Sequence, residues 1–215
     1  MKIEKFIVAV IVSLTISTVA EAQAANRPSA PENPEALRQV LANQPDYVAA
    51  RQFIFSEGFG GFGANSKVAK LGRRRREETD DTVFINESGK PTVKVYPKRK
   101  EYSEQPVEAD GDSQFSPEGL AGRDDVNFKL LGREKVGGYD CLKIEVTYKD
   151  ERLREMVFVF YAAPALRNLV IREEISLGEQ VKFMTQLSGV SFNVPGKLFA
   201  IPAGYKKVVE PKPFP

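Results

Sequence analysis

From Leu142 to Tyr148 an apolar side chain recurs at every second position: Leu142, Ile144, Val146 and Tyr148. Cys141, Lys143, Glu145 and Thr147 fall between them. A period of two sends alternate side chains to opposite faces of a sheet, so this segment is a strand with one apolar and one mostly wet face. Asp150 and Glu151 mark a turn, and Met156 to Tyr161 follow as a strand apolar on both faces. A fully buried large apolar side chain contributes roughly 1.5–3 kcal/mol, so four on one strand drive strongly toward covering that face. What covers it is the functional question.

The rest of the chain repeats the pattern. Ser66 to Glu78, Thr82 to Glu87 and Thr92 to Tyr96 read as successive strands joined by turns at Thr79-Asp80-Asp81 and Ser88-Gly89-Lys90-Pro91. Tyr96 to Tyr102 continues the meander through a basic turn. Leu169 to Leu177 and Gln180 to Leu187 form a hairpin around Gly178, with Val181, Phe183, Thr185 and Leu187 on one face. Gly189 to Val194 and Phe199 to Tyr205 close the fold. Tyr47 to Glu57 is ambiguous, with a strand favoured at its end by Phe53-Ile54-Phe55. One helix stands out: Asn33 caps it, Pro34 takes its first position, Glu35 suits the positive end of its dipole, and Leu37, Val40 and Leu41 form its apolar stripe. The fold class expected is mainly β: a single curved antiparallel sheet forming a half-open barrel, with one or a few short helices against it.

The ends of the chain carry different signals. Lys2 and Lys5, the apolar run Phe6–Val19 and the small residues of Ala20-Glu21-Ala22 read as an export signal over residues 1–22, with cleavage after Ala22. The run is shorter than the roughly 20 residues that span a bilayer, so the mature chain is expected to be periplasmic or secreted and not transmembrane. Residues 23–33 form an extended lead-in, 34–207 the folded domain and 208–215 a proline-rich tail. Ser103 to Asp125, rich in Pro, Gly and acids, reads as a long loop of the kind that is either disordered or a lid.

Catalytic chemistry finds little support. The chain has no histidine, which removes Ser-His-Asp and Cys-His catalysis and most zinc sites. Gly58-Phe59-Gly60-Gly61-Phe62-Gly63 matches G-x-G-x-x-G, but a basic, strand-like segment follows where pyrophosphate binding needs a helix N-terminus. Asp110-Gly111-Asp112 lacks the later glycine and glutamate of a calcium loop. Asp124 and Asp125 read as ordinary solvated acids, and Arg73–Arg76, partly neutralised by Glu77, Glu78, Asp80 and Asp81, as a solvated strand end, with a site for an anionic head group as the alternative. Asn86-Glu87-Ser88 is a glycosylation sequon, meaningful in a host that glycosylates exported proteins. Cys141, the one cysteine, reads as a small buried or half-buried strand residue, with an intermolecular bridge or a reactive thiol as the alternative. A net charge of +2 argues against nucleic acid as a partner. The expectation is a non-enzyme with no cofactor and no metal.

The order of motifs resembles a family. A helix and meandering strands with Val95-Tyr96-Pro97-Lys98-Arg99-Lys100-Glu101-Tyr102 follow the export signal. Next come Leu131-Gly132-Arg133-Glu134-Lys135-Val136-Gly137-Gly138-Tyr139-Asp140-Cys141 and a closing Phe199-Ala200-Ile201-Pro202-Ala203-Gly204-Tyr205-Lys206-Lys207. This is similar to the exported lipoprotein-carrier (LolA/LolB-like) superfamily, over roughly Pro34 to Lys207. The resemblance implies a half-barrel wrapped over helices, with an apolar cavity for acyl chains. The R-P-G-x-F-R type segment of the true carriers is missing. Two functions stay open: a lipid or other apolar ligand held on the sheet, or an envelope structural or protein-interaction module with a filled core. For the first, the candidate cavity residues are Leu142, Ile144, Val146, Phe158, Phe160, Phe183 and Leu187, with Phe59 and Phe62 as gate residues.

Overall fold

The computed structural model describes residues 33–55, 64–106, 113–148, 156–177 and 180–209. The export signal, most of the lead-in, Gly58–Gly63 with Phe59 and Phe62, the Asp110-Gly111-Asp112 triplet and the tail from residue 210 lie outside them. So do the turns at Asp150-Glu151 and Gly178.

Helix α1 (Pro34–Ala42) begins where the sequence predicts, with Asn33 Oδ1 accepting the Ala36 N–H at 2.7 Å. Its stripe is realised in Leu37 and Leu41, exposed by 1% and 0%. Twelve strands then form one sheet: β1 (Tyr47–Phe55), β2 (Asn65–Leu71), β3 (Arg74–Glu78), β4 (Val83–Glu87), β5 (Thr92–Tyr96), β6 (Glu101–Gln105), β7 (Val126–Val136), β8 (Tyr139–Tyr148), β9 (Met156–Ala163), β10 (Leu169–Leu177), β11 (Gln180–Ser191) and β12 (Lys206–Lys207). Their order is β12-β6-β5-β4-β3-β2-β1-β11-β10-β9-β8-β7. All neighbours are antiparallel except β12, which runs parallel to β6.

Two meanders, β1–β6 and β7–β11, are thus joined through the β1–β11 pair, and the connection from β6 to β7 runs from near one edge to the other. On a flat sheet those strands would lie ten spacings apart, about 48 Å. The connection contains helix α2 (Pro117–Ala121), which touches both meanders. Phe115 stacks on Phe158 of β9 at 5.8 Å, while Glu118 meets Arg75 of β3 at 2.9 Å. Two residues three apart in sequence span at most about 10 Å of backbone. Strands β3 and β9 are five spacings apart, about 24 Å if flat, and this short segment bridges them on the concave side of the sheet. The result is an open half-barrel.

Three expectations are corrected. Ser66–Glu78 is not one strand but the hairpin β2–β3, turned at Gly72, whose φ of +58° lies where glycine is at ease. Tyr47–Phe55 is strand along its whole length. Ser103–Asp125 is not a loop throughout: its first residues belong to β6, and α2 is capped by Ser116 Oγ accepting the Gly119 N–H, with Leu120 at 0% exposure. On the outer face, Phe199 and Tyr205 cover Val83, Ile85 and Val95, which gives the closing segment its place.

Candidate ligand-binding face

Register aligns the concave side chains in rows across the sheet. Phe128, Val146, Phe158, Ile175 and Phe183 are successive partners from β7 to β11. The next row is Leu130, Ile144, Phe160, Glu173, Thr185 and Phe53. The seven candidate cavity residues therefore share one face but not one environment. Leu142, Ile144, Val146, Phe158 and Phe160 are 0–2% exposed, whereas Phe183 and Leu187 are half-buried. Over the β7–β9 end lie α1, with Arg38 5.0 Å above the Phe128 ring, and the segment carrying Phe115 and α2. Arg38 Nη1 donates to the carbonyls of Ala121 (2.9 Å) and Arg123 (2.7 Å), tying the two helices together. Cys141 alternates with Leu142 on β8 and is fully buried in a second cluster with Val136, Tyr161, Ala163, Leu169 and Ile171, against which Leu187 also packs.

Toward β1–β3 the concave face turns polar, which the sequence did not announce. Arg51 pairs with Glu77, and Arg75 with Glu118. Lys70, its side chain 10% exposed, donates to Gln44 O at 2.7 Å and lies 3.6 Å from Asp46 and 3.7 Å from Glu118. Beside these groups a void of about 40 Å³ is lined by Tyr47, Arg51, Val170, Ile171, Glu173, Thr185 and Leu187. That is room for a few waters and not for an acyl chain. Burial pushes the Glu173 carboxyl above the usual carboxylate range, with Arg51 opposing. Burial also lifts the Tyr47 phenol to about 12.

The Arg73–Arg76 run is correspondingly not a solvated strand end. Arg74 covers the Phe199 ring at 5.1 Å, Arg75 turns inward to Glu118, and Arg76 binds Glu78 at 2.6 Å. Asp125 is exposed as expected, but two hydrogen bonds from Arg123 hold it below the usual carboxylate range. At the β7 edge a shallow groove of about 560 Å³ runs between Asn33–Glu35, Arg38 and Val126–Phe128.

A family model described as a domain of unknown function, DUF4412, matches residues 43–158, more than half of the chain. The chain belongs to the DUF4412 family. None of the curated proteins matches this DUF4412 chain in sequence. Among solved structures it is similar to MucB, with 14% identity and a TM-score of 0.55 over 79% of this chain; it spans 63% of MucB's length. It also matches a LolA superfamily protein from Nitrosomonas europaea (10% identity, TM-score 0.40, 79% of this chain and 98% of that one). A third match is a putative outer membrane lipoprotein-sorting protein domain from Vibrio parahaemolyticus (13% identity, TM-score 0.39, 77% and 95%). The fold of this DUF4412 chain is mainly β, one large open antiparallel sheet with short helices against it among the described residues.

Proposed function

We propose that the protein is an exported, non-enzymatic binding protein that holds the apolar chain of a lipid or similar ligand against the concave face of its half-barrel. The observation that carries this reading is the apolar row from Phe128 to Phe183, which runs from a closed end under α1 and Phe115 to a half-exposed end at Phe183 and Leu187. What lies over the closed end is short: a nine-residue helix and a five-residue one. Helices of that length are marginal on their own and are held by their contacts. Lifting Phe115 and Leu120 from the sheet costs about 3–6 kcal/mol, and each methylene buried in their place returns about 0.8 kcal/mol. About eight buried methylenes offset that displacement alone, and further methylenes must cover the cost of association. The export signal at residues 1–22 supports a periplasmic or secreted setting.

The test is a titration of the purified mature protein with a fluorescent fatty acid, competed by saturated chains of increasing length, alongside native mass spectrometry of the protein as isolated. Binding that strengthens with chain length is expected, each added methylene contributing up to about 0.8 kcal/mol. No binding at any length, with a cooperative melt intact, overturns the reading.

A second reading is favoured by a specific observation: five of the seven candidate residues are already 0–2% exposed, and the inner void holds no more than a few waters. On it, the half-barrel is an envelope interaction module with a filled core. MucB, of similar fold, has been crystallised in complex with MucA(peri). Failure of every chain length in the titration supports this alternative.

A further inference from the structure

The segment from Phe115 to Leu120, which leads into helix α2, places three chemically distinct groups on the sheet within six residues. Phe115 stacks on Phe158 with rings 5.8 Å apart and 18° from parallel, and Leu120 is fully buried. Between them, Glu118 turns its carboxylate to two cations of the opposite meander. Its Oε1 lies 2.9 Å from Arg75 Nη2 and 3.7 Å from Lys70 Nζ. That oxygen is buried, yet among the described residues no donor reaches it with hydrogen-bond alignment. Arg75 remains 38% exposed and so is reachable from solvent, while Lys70 is anchored from behind by the Gln44 carbonyl.

This layout, a carboxylate on a cation pair with apolar groups alongside on an apolar bed, is that of an anionic amphiphile. We infer that the ligand of the concave face carries an anionic head that binds Lys70 and Arg75 in competition with Glu118, the chain following the route of Phe115 and Leu120. The inference rests on the apolar-chain reading above and adds to it the charge of the ligand. Glu118 then sets affinity: a ligand gains the cation pair by displacing a side chain that is poorly aligned on it. Hydrogen bonds to charged groups are each worth about 1.5–3 kcal/mol net, so an anion that aligns on Arg75 better than Glu118 does gains about tenfold or more in affinity.

Three probes of equal chain length separate the possibilities: a fatty acid, an alkyl phosphate and the fatty acid methyl ester. Each is titrated against the mature protein, against Arg75→Gln and against Glu118→Gln, with thermal melts confirming that each variant folds. The acid or the phosphate is expected to bind about tenfold or more tighter than the ester. Which of the two binds tighter tells whether a carboxylate or a phosphate head is preferred. Both variants loosen the segment that any ligand displaces, so the reading is the ratio of acid to ester affinity: R75Q should bring it toward one, whereas E118Q should widen it severalfold. Should R75Q not fold, salt titration of the unaltered protein serves: 0.5 M salt should weaken the acid and spare the ester. Ester and acid binding equally well overturns the anionic head while leaving the apolar-chain reading standing. If no probe binds, both fall.

Discussion

Gln44 Oε1 accepts the backbone N–H of Val170 at 2.8 Å, joining the end of α1 to the start of β10. The same side chain donates to the carbonyls of Val40 (2.8 Å) and Asn168 (3.2 Å), and the Gln44 carbonyl receives Lys70 at 2.7 Å. The side-chain amide thus joins helix and sheet, while the backbone carbonyl of the same residue anchors the cationic floor of the concave face. Replacing Gln44 with leucine keeps the bulk but strands the Val170 N–H and the Asn168 carbonyl in a buried place. An unsatisfied buried group costs about 1–3 kcal/mol, so Q44L should lower stability by about 2–4 kcal/mol. Urea denaturation followed by circular dichroism reads this directly; an unchanged midpoint would show that these bonds are not needed.

Phe158 and Phe183 sit in one apolar row, but their truncations should have different consequences. Phe158 is fully buried between Phe115 and Phe160, at 5.8 and 6.1 Å, so F158A leaves a cavity and should cost about 3–5 kcal/mol. Phe183 is half-buried, and F183A should cost about 1–2 kcal/mol while weakening binding of a long apolar probe by about tenfold. Melts and probe titrations of both variants test this. If F183A leaves probe affinity untouched, Phe183 does not line the ligand path.

The strands of this sheet were legible because burial alternates along them, as in Leu142 to Tyr148, where the period itself carries the information. Helix α2 was not, though its start was written in Ser116-Pro117-Glu118, a cap, a first-turn proline and an acid. Five residues containing a glycine are too few for a periodicity to register. The β2–β3 hairpin was hidden because Leu71-Gly72-Arg73 lacks an Asn-Gly or Asp-Gly pair, and its turn depends on a positive φ that only the backbone displays. The polar part of the concave face was hidden for another reason. Arg51, Lys70, Arg75 and Glu173 come from four strands, and nothing in any one strand says that register brings them to the same side.

Cys141 should be inert in the folded protein. Its sulfur is fully buried, with the Tyr139 carbonyl 3.6 Å away, and burial pushes the thiol up to about 11. The thiolate is the reactive form, so a maleimide at pH 7 or iodoacetamide at pH 8 should label the thiol only after denaturant is added. Mass spectrometry of samples labelled with and without urea gives the answer. Rapid labelling of the native protein would place Cys141 at an accessible surface and reopen an intermolecular bridge.

Glu173 gives stability a pH dependence whose sign follows from its surroundings. The carboxyl lies where the row turns from apolar to polar, between Phe160 and Thr185. Burial raises its pKa above the ordinary 4.5, Glu118 of α2 adds to the rise, and Arg51 of β1, Arg75 of β3 and the hydrogen bond from Thr185 of β11 oppose it. The folded state therefore binds this proton more tightly than the unfolded chain. Below the unfolded pKa both states are protonated and nothing is lost. As the pH rises through 4.5 toward the higher folded value, the unfolded chain ionises first and stability falls. Glutamine keeps the shape and the hydrogen-bonding capacity without the charge, and Arg51 retains Glu77 as its partner. Glu173→Gln should thus match the unaltered protein at pH 4 and exceed it at pH 7, the gap opening between the two. Urea midpoints of both proteins at each pH decide it. A variant less stable at pH 7, or a gap independent of pH, would mean that the Glu173 carboxylate is stabilised by Arg51 more than it is penalised by burial.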